Sequence, residues 1–574
     1  MGSPTGNLFD FVVVGAGNSG AVVAGNLAHS TARPRVLVIE AGGPNTRDDL
    51  YVPSERFANV YKNEEIKIGY RTVPQNHIHG RILEYVRGKG LGGSSVANFM
   101  AYIRGSASDY NVWGDLVGDD FFKWENAVER FKELENLHLD DDGDEFIKLR
   151  EGVHGFNGPL DITLPSRRQW PPALDILMKA ALDFGWPLNP DQNSGDLVGI
   201  GVLSVTSYQG RRTTSASAYL SNPPSNLEIW TDSKVTKVLM DDAHSSGKPK
   251  AIGVLLADGR EVRASKEVIL SLGTIDTPKL LLLSGIGPRS ELQDLGLECI
   301  IDNAQVGKGL TDHLYVVTQW GARSQFGDEV GFEKDSKMVA AAREQWMRNH
   351  TGPDATRHLT TLIGFLKLDP HRHSFDELEI LDARAKAWIK QPNVPQIEIF
   401  LQGVSLEEWD KSHGEEPLIA CVMLMNPQSR GSVTLASKDP AADPVIDVNF
   451  FSHPYDRQTL VSGVREVMTF VRSKHLSKHI ASAVLAPKTD SDEDILAFCK
   501  DTLMSVLHGV GTAKMGHRDD PKACVDTDFR VRDVDNLRVM DLSVCPVLTN
   551  NHTQATAYVV GQMGWKKLAA EYGL

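Results

Sequence analysis

The start of the chain switches between two apolar rhythms. Phe9 to Val14 is an almost unbroken apolar run, and a glycine-rich break follows it. Apolar residues then recur at helical spacing from Ser19 to Ala28, before a second apolar run from Arg35 to Ile39. A continuous apolar run marks a strand covered on both faces, whereas positions three and four apart mark one helix face. This segment therefore predicts strand, tight turn, helix and strand, a βαβ unit that calls for a parallel sheet and an α/β fold.

Later patterns are less regular. Helical periodicity appears over Phe121 to Leu137 and Leu174 to Phe184, and again over Arg457 to Arg472. Alternation typical of strands fills Leu227 to Leu270, with Asp258-Gly259 suited to a hairpin turn, and returns over Leu418 to Met425 and Gly431 to Leu435. The stretch from about 325 to 395 is charged and broken by Pro392 and Pro395, which predicts irregular insertions and a lid-like region. Asp140 to Asp144 reads as a solvated acidic loop, and no repeat or low-complexity tract interrupts the chain.

Composition narrows the class. Of 574 residues, 41% are hydrophobic and 24% charged, the balance of a globular protein. Net charge is −15, which disfavours a nucleic-acid or anionic-membrane partner because either wants a basic face. No apolar run approaches the roughly 20 residues of a membrane-spanning helix. Five scattered cysteines without CxxC spacing predict free thiols and neither a disulfide framework nor a zinc site. The opening residues MGSPTGNLFD carry no basic and apolar leader, which predicts a cytoplasmic protein unless a leader has been removed. Asn349-His350-Thr351 is a sequon that matters only for a secreted chain.

The glycine-rich break is Gly15-Ala16-Gly17-Asn18-Ser19-Gly20, a GxGxxG between strand and helix. The first glycine permits the tight turn, the second lets the backbone approach a pyrophosphate, and the third lets helix and strand pack closely. The helix N-terminus then faces the phosphate charge. Glu40 ends the second strand, where a carboxylate accepts hydrogen bonds from ribose hydroxyls and disfavours a 2′-phosphate. These residues predict a dinucleotide site without separating FAD from NAD.

Five further segments separate them. Arg87-Gly88-Lys89-Gly90-Leu91-Gly92-Gly93-Ser94-Ser95-Val96-Ala97-Asn98, running on to Arg104-Gly105, resembles the first signature of the glucose–methanol–choline oxidoreductase family. Gly273 to Pro278, continuing to Pro288, resembles the second. Val306 to His313 is similar to the family's VGxNLxDH stretch, with Gly309 where asparagine is usual. His508-Gly509-Val510-Gly511-Thr512 and Arg538-Val539-Met540-Asp541 resemble its C-terminal motifs. The resemblance spans nearly the whole chain in order and implies FAD.

It also implies an organisation and a site. The FAD-binding Rossmann-type part takes residues 1–155 (with a lid-like loop at about 60–85), 196–315 and 501–574. The antiparallel-sheet substrate part, covered by helices, takes 156–195 and 316–500. The implied FAD contacts are Gly15, Gly17, Asn18, Ser19, Gly20, Glu40 and Ala41, then Gly92 and Ser94. Asn98, Phe99, Met100 and Ala101 run along the isoalloxazine, Val235 meets the adenine through its backbone, and Asp541, Thr553 and Gln554 complete the set. Some members attach FAD through a histidine that is Ala97 here, which predicts non-covalent FAD.

Alcohol oxidation removes a hydroxyl proton and moves a hydride from the same carbon, so it needs a base poised near neutral pH, which suits histidine. By the resemblance His508 is that base and His552 the second active-site position, a pairing similar to the aryl-alcohol oxidase branch. It tilts the substrate towards aryl or primary alcohols and leaves O2 or a quinone as acceptor. His313 reads as a structural link between its loop and the FAD part. The short pairs His77 with His79 and His371 with His373 read as solvated loops, with no metal. Two other readings remain: a non-redox lyase or cyclase on the same fold, and an FAD-binding protein without chemistry.

Overall fold

The computed structural model describes residues 8–139, 144–241, 247–323, 326, 329–372, 378–403 and 415–574. The first sheet grows out of the βαβ unit. Leu8–Val14 pairs in parallel with Val36–Ile39 on one side and Glu261–Leu270 on the other, and Leu227–Trp230 extends it beyond Val36–Ile39. Val36–Ile39 is buried along its whole length, as a strand covered on both faces must be. Lys250–Leu256 and Val235–Asp241 continue from Glu261–Leu270 as antiparallel strands, the first of them joined through the Asp258-Gly259 turn with Gly259 at φ +86°. Leu537–Val539 returns from the far end of the chain to lie parallel to Val268–Leu270.

A second sheet is antiparallel throughout. Its order is Ile480–Leu485, Leu314–Ala322, Glu416–Leu424, Ile397–Gln402, Leu362–Leu366 and Gly199–Val202, with Met504–Ser505 pairing beside Leu314. The helix Pro454–Arg472 packs on one face at Gly463, where a Cβ would stand 2.8 Å from Val422 Cγ1. Glycine there lets the helix settle close enough to bury the aliphatic layer between them. On the other face stand Glu398, Phe400 and Gln402, which alternate along one strand and so point the same way.

Three expectations change. The helix foreseen over Phe121 to Leu137 spans only Trp124–Leu134, and Glu135–Leu139 is a strand paired in parallel with Leu160–Leu164. Glu135 accepts hydrogen bonds from Arg104 Nε and Tyr102 Oη, both at 2.7 Å, and that buried partnership outweighs the local helical rhythm. The stretch foreseen as irregular contains the helix Ser336–Asn349, capped by Asp335, and the fully buried strand Leu362–Leu366. A short all-apolar LIGFL carries no alternation, so only its place inside the second sheet marks it as a strand. Gly199–Val202, although it falls in 196–315, also belongs to that sheet. In the acidic loop, residues 140–143 lie outside the described residues. All five cysteines are free, four of them buried.

Candidate active site

The helix Asn18–His29 begins at Gly17 with no side chain capping its first turn, so its leading N–H groups are left to a ligand. Gly15 takes φ +100° and a Cβ there would meet Ser271 O at 2.5 Å. Gly20 is pressed against the turn itself, its Cβ position 2.0 Å from Gly15 O. Gly17 differs: nothing closer than Gly93 Cα at 4.0 Å faces it. Beside it the Asn18 Oδ1 is buried without a hydrogen-bond partner. An open glycine and uncapped N–H groups at one helix start fit a bound pyrophosphate.

The first-signature loop closes over this turn. Gly93, at φ +50°, would place a Cβ 2.7 Å from Gly17 Cα, so the two glycine loops meet backbone to backbone. Glu40 ties them: its carboxylate accepts from the backbone N–H of Ala16 at 3.0 Å, Gly42 at 2.9 Å and Gly90 at 3.0 Å. Burial raises its pKa above the ordinary carboxylate range against those bonds. Three of its roughly four acceptor positions are used by the protein, which leaves one for a ribose hydroxyl. Ala41 is exposed just beyond. Ser233 N–H donates to Glu40 O at 2.9 Å, which brings the start of Val235–Asp241 to the same end of the sheet. Ser94 Oγ accepts from Gly88 N–H at 3.2 Å, and Gly92 holds φ +94°.

Asp541 does a similar tying job. Its carboxylate accepts from Gly273 N–H at 2.9 Å, Thr277 Oγ1 at 2.5 Å and Ser543 N–H at 2.8 Å, at the N-terminus of the helix Gly273–Leu283. The last helix, Gln554–Tyr572, starts after Thr553 and packs along Asn18–His29, where Ser19 Oγ donates to Ala557 O at 2.6 Å. Gln554 reaches back to the segment that follows Ser94–Ala97, with Nε2 donating to Ala101 O at 3.2 Å and Oε1 accepting from Asn98 Nδ2. Asn98 is also gripped by the buried Arg212, whose Nη1 donates to its backbone O at 2.7 Å and its Oδ1 at 2.9 Å. Met100 sits at φ +62°, a conformation rare for a side chain of that size. Ala97, where a flavin-linking histidine would stand, is buried at the end of the short helix Ser94–Ala97.

Two histidines meet just ahead of the last helix. The rings of His508 and His552 lie 5.1 Å apart between centroids and 81° from coplanar. His508 follows Leu507, itself at φ +64°, and donates its backbone N–H to Asp312 Oδ1 at 2.8 Å. Burial, aided by the neighbouring rings and Arg87, pushes the His508 pKa well below the ordinary histidine range, so its ring is neutral. His552 Nε2 lies 3.0 Å from Glu398 Oε1, and Glu398 is 1% exposed at its side chain.

Sequence patterns did not reveal Glu398. Nor did they foresee that His313, taken as a structural link, places its Nδ1 3.0 Å from His508 Nδ1. Phe57, Phe99 and Phe400, all half-buried, form an aromatic group on the Glu398 side of the site. Phe57 stands edge-on to Phe99 at 4.9 Å and to Phe400 at 6.1 Å. Gly309, where the VGxNLxDH pattern has asparagine, adopts φ +82° with nothing nearer its Cβ position than Gly511 O at 3.6 Å. Left-handed backbone is the shared property of the two residue types, which accounts for the exchange. Elsewhere, His79 Nδ1 lies 3.1 Å from Asp501, while His373 falls outside the described residues. Among the described residues no cluster of three or more His, Cys, Asp or Glu is arranged for a metal, and no helix is long and apolar enough to cross a membrane.

Comparison with known proteins gives the family and the fold. A GMC oxidoreductase family model matches residues 9–315, and its C-terminal counterpart matches residues 427–561. The alcohol dehydrogenase [acceptor] of Pseudomonas putida is 30% identical over 97% of this chain and 94% of its own. Pyranose dehydrogenase 2 of Leucoagaricus meleagris is 31% identical over 99% and 94% of the two chains. Among solved structures, a variant formate oxidase of Aspergillus oryzae, studied for FAD modification, superposes with a TM-score of 0.89 at 27% identity, covering 100% of both chains. A fungal aryl-alcohol oxidase shares the fold with a TM-score of 0.83 at 23% identity over 99% of each chain.

Proposed function

Since this chain belongs to the GMC oxidoreductase family, we propose that it is an FAD-dependent oxidoreductase that oxidises a primary or aryl alcohol with His508 as the base. The observation that carries this reading is the grouping of His508, His552 and Glu398, in a chain whose glycine cradle is open at Gly17. FAD, when bound, supplies the hydride acceptor. The residues that hold it are the turn Gly15 to Gly20, Glu40, Gly92, Ser94, Asn98 to Ala101, Val235, Asp541, Thr553 and Gln554. With Ala97 in place of a linking histidine, the binding is non-covalent.

The protein's own part is proton handling and orientation. A neutral His508 accepts the hydroxyl proton at its free ring nitrogen, which gives the substrate oxygen alkoxide character and eases loss of hydride from the attached carbon. His552, with its Nε2 held by Glu398, is fixed in orientation and limits the positions that the substrate beside His508 can take. The half-buried Phe57, Phe99 and Phe400 favour an apolar or aryl body over a sugar, since they offer no hydrogen bonds. On this reading residues 1–155, 196–315 apart from the strand Gly199–Val202, and 501–574 carry the cofactor, 156–195 and 316–500 together with that strand face the substrate, and the electrons leave to O2 or a quinone-type acceptor. The pairing of two histidines with a buried carboxylate favours this over FAD binding without chemistry, because holding the cofactor requires none of the three. The test is anaerobic addition of benzyl alcohol and of a short primary alcohol. Bleaching of the yellow flavin supports the reading; an unbleached flavin with both, alongside cleavage of a cyanohydrin, supports the non-redox alternative instead.

A further inference from the structure

The two ring nitrogens of His508 are not equivalent, and the protein decides which one is bare. His313 is fully buried and both of its ring nitrogens are engaged: Nε2 lies 2.9 Å from Met425 O, and Nδ1 lies 3.0 Å from His508 Nδ1. A backbone carbonyl only accepts, so the Met425 contact requires the proton of His313 to sit on Nε2. Burial pushes the His313 pKa down to about 3, so the ring carries one proton only and its Nδ1 is a lone pair. A contact between two nitrogens needs one proton between them. His313 has none left to give on that side, so His508 Nδ1–H must be the donor.

We propose that His313 is a positioning residue that fixes the proton of resting His508 on Nδ1 and so leaves Nε2 bare to receive the substrate proton. This deepens the proposed function and rests on His508 being the base. The neighbouring backbone supports the arrangement. Asp312 holds the His508 N–H, Val506 N–H donates to His313 O at 3.1 Å, and Thr311 and Val510 exchange backbone bonds at 3.2 and 2.9 Å. One short segment therefore holds the main chain with Thr311 and Asp312 and selects the tautomer with His313. When the substrate hydroxyl transfers its proton, the O–H bond breaks, an N–H bond forms at Nε2, and His508 becomes a cation that still donates Nδ1–H to His313. A neutral imidazole stabilises that cation less than a carboxylate does, so the proton is held loosely and is easily returned to solvent.

The test uses full-length, FAD-loaded enzyme labelled with nitrogen-15 at histidine. Long-range proton–nitrogen correlation separates protonated from bare ring nitrogens, and His508→Gln identifies the His508 signals. Wild type should show His508 protonated at Nδ1 and bare at Nε2. His313→Asn, whose Oδ1 offers an acceptor near the former Nδ1, should keep that tautomer. His313→Leu should lose it and reduce flavin at least about tenfold more slowly, because the base is then partly in the wrong form. A wild-type His508 with its proton on Nε2, or an unchanged tautomer in His313→Leu, overturns the proposal. Should the leucine variant fail to fold, the wild-type spectrum still decides. Normal flavin reduction in the His508 variant, with the wild-type tautomer as stated, would count against the proposed function and leave the tautomer assignment standing.

Discussion

Glu398 Oε1 lies 3.0 Å from His552 Nε2, in a site where the carboxylate is all but sealed from solvent. Its second oxygen is buried with no hydrogen-bond partner, so Glu398 spends its whole bonding capacity in this direction on one imidazole. A buried carboxylate held to a single partner fixes a ring plane more firmly than it stabilises a fold. Glu398→Leu should therefore slow flavin reduction by up to about tenfold, the equivalent of one hydrogen bond of roughly 0.5–1.5 kcal/mol. Glu398→Gln, which still accepts from His552, should lose less. Rapid mixing with alcohol measures both, and equal losses in the two variants would mean that charge and not orientation is what His552 needs.

How far this site was readable in the chain depends on the distance over which each signal acts. The nucleotide turn is local: Gly15, Gly17 and Gly20 lie within one turn and advertise their geometry through the missing Cβ. His508 and His552 were recognisable only through motifs similar to a known family, since no spacing rule brings two such histidines together. Glu398 was invisible because its role follows from strand register, which sets residue 398 on the face opposite residue 552. His313 was visible as part of a motif, yet its contact with His508 depends on two segments exchanging backbone bonds far apart in sequence. The Leu362–Leu366 strand was missed for a related reason, as a short apolar run takes its identity from its neighbours.

The two histidines should differ in kind. His508→Ala removes the proton acceptor, and positioned bases contribute about 10²–10⁴-fold, so flavin reduction should slow by roughly 10²-fold or more with FAD content intact. His552→Ala should lose less, because it directs the oxygen without taking the proton. Single-turnover reduction in anaerobic mixing gives both rates, and a larger loss in His552→Ala would exchange the two roles.

The pH profile follows from the environment of His508. Burial depresses its pKa, so the protonated, inactive ring forms only in acid, and the reduction rate should fall as pH falls through that lowered value. Flavin reduction should be flat through pH 6.5, the ordinary histidine value, and lose rate only below it. An acid limb centred at or above 6.5 would mean that some other group, or a solvated His508, is the base.

Asp312 carries the opposite sign. Burial raises its pKa to about 6, so the folded chain binds this proton more tightly than the unfolded chain does. Its contribution to stability is fully present below the ordinary carboxylate range and is lost as pH rises through about 6. Asp312→Asn removes that titration, so the urea midpoint of the variant relative to wild type should climb between about pH 4 and pH 6 and level off above that. A difference that stays level across that window would show that the hydrogen bonds from Ser505 and His508 hold the Asp312 carboxylate ionised throughout.

Cofactor retention tests the glycine cradle and Ala97 together. Acid precipitation of the loaded enzyme should leave the yellow colour in the supernatant, because no side chain at position 97 can form a bond to the flavin. Gly17 has free space above it, so Gly17→Val should fill the path of the pyrophosphate without a clash inside the protein. Its thermal unfolding without cofactor should stay close to wild type while FAD content falls. Gly93→Val differs, because its side chain would run into the Gly17 backbone and a positive φ already strains any larger residue there. That variant should lose stability as well as FAD. If both variants lost FAD and stability equally, the opening at Gly17 would be a packing feature of the turn and the phosphate would have to lie elsewhere. Colour remaining in the pellet would mean that another residue links the flavin.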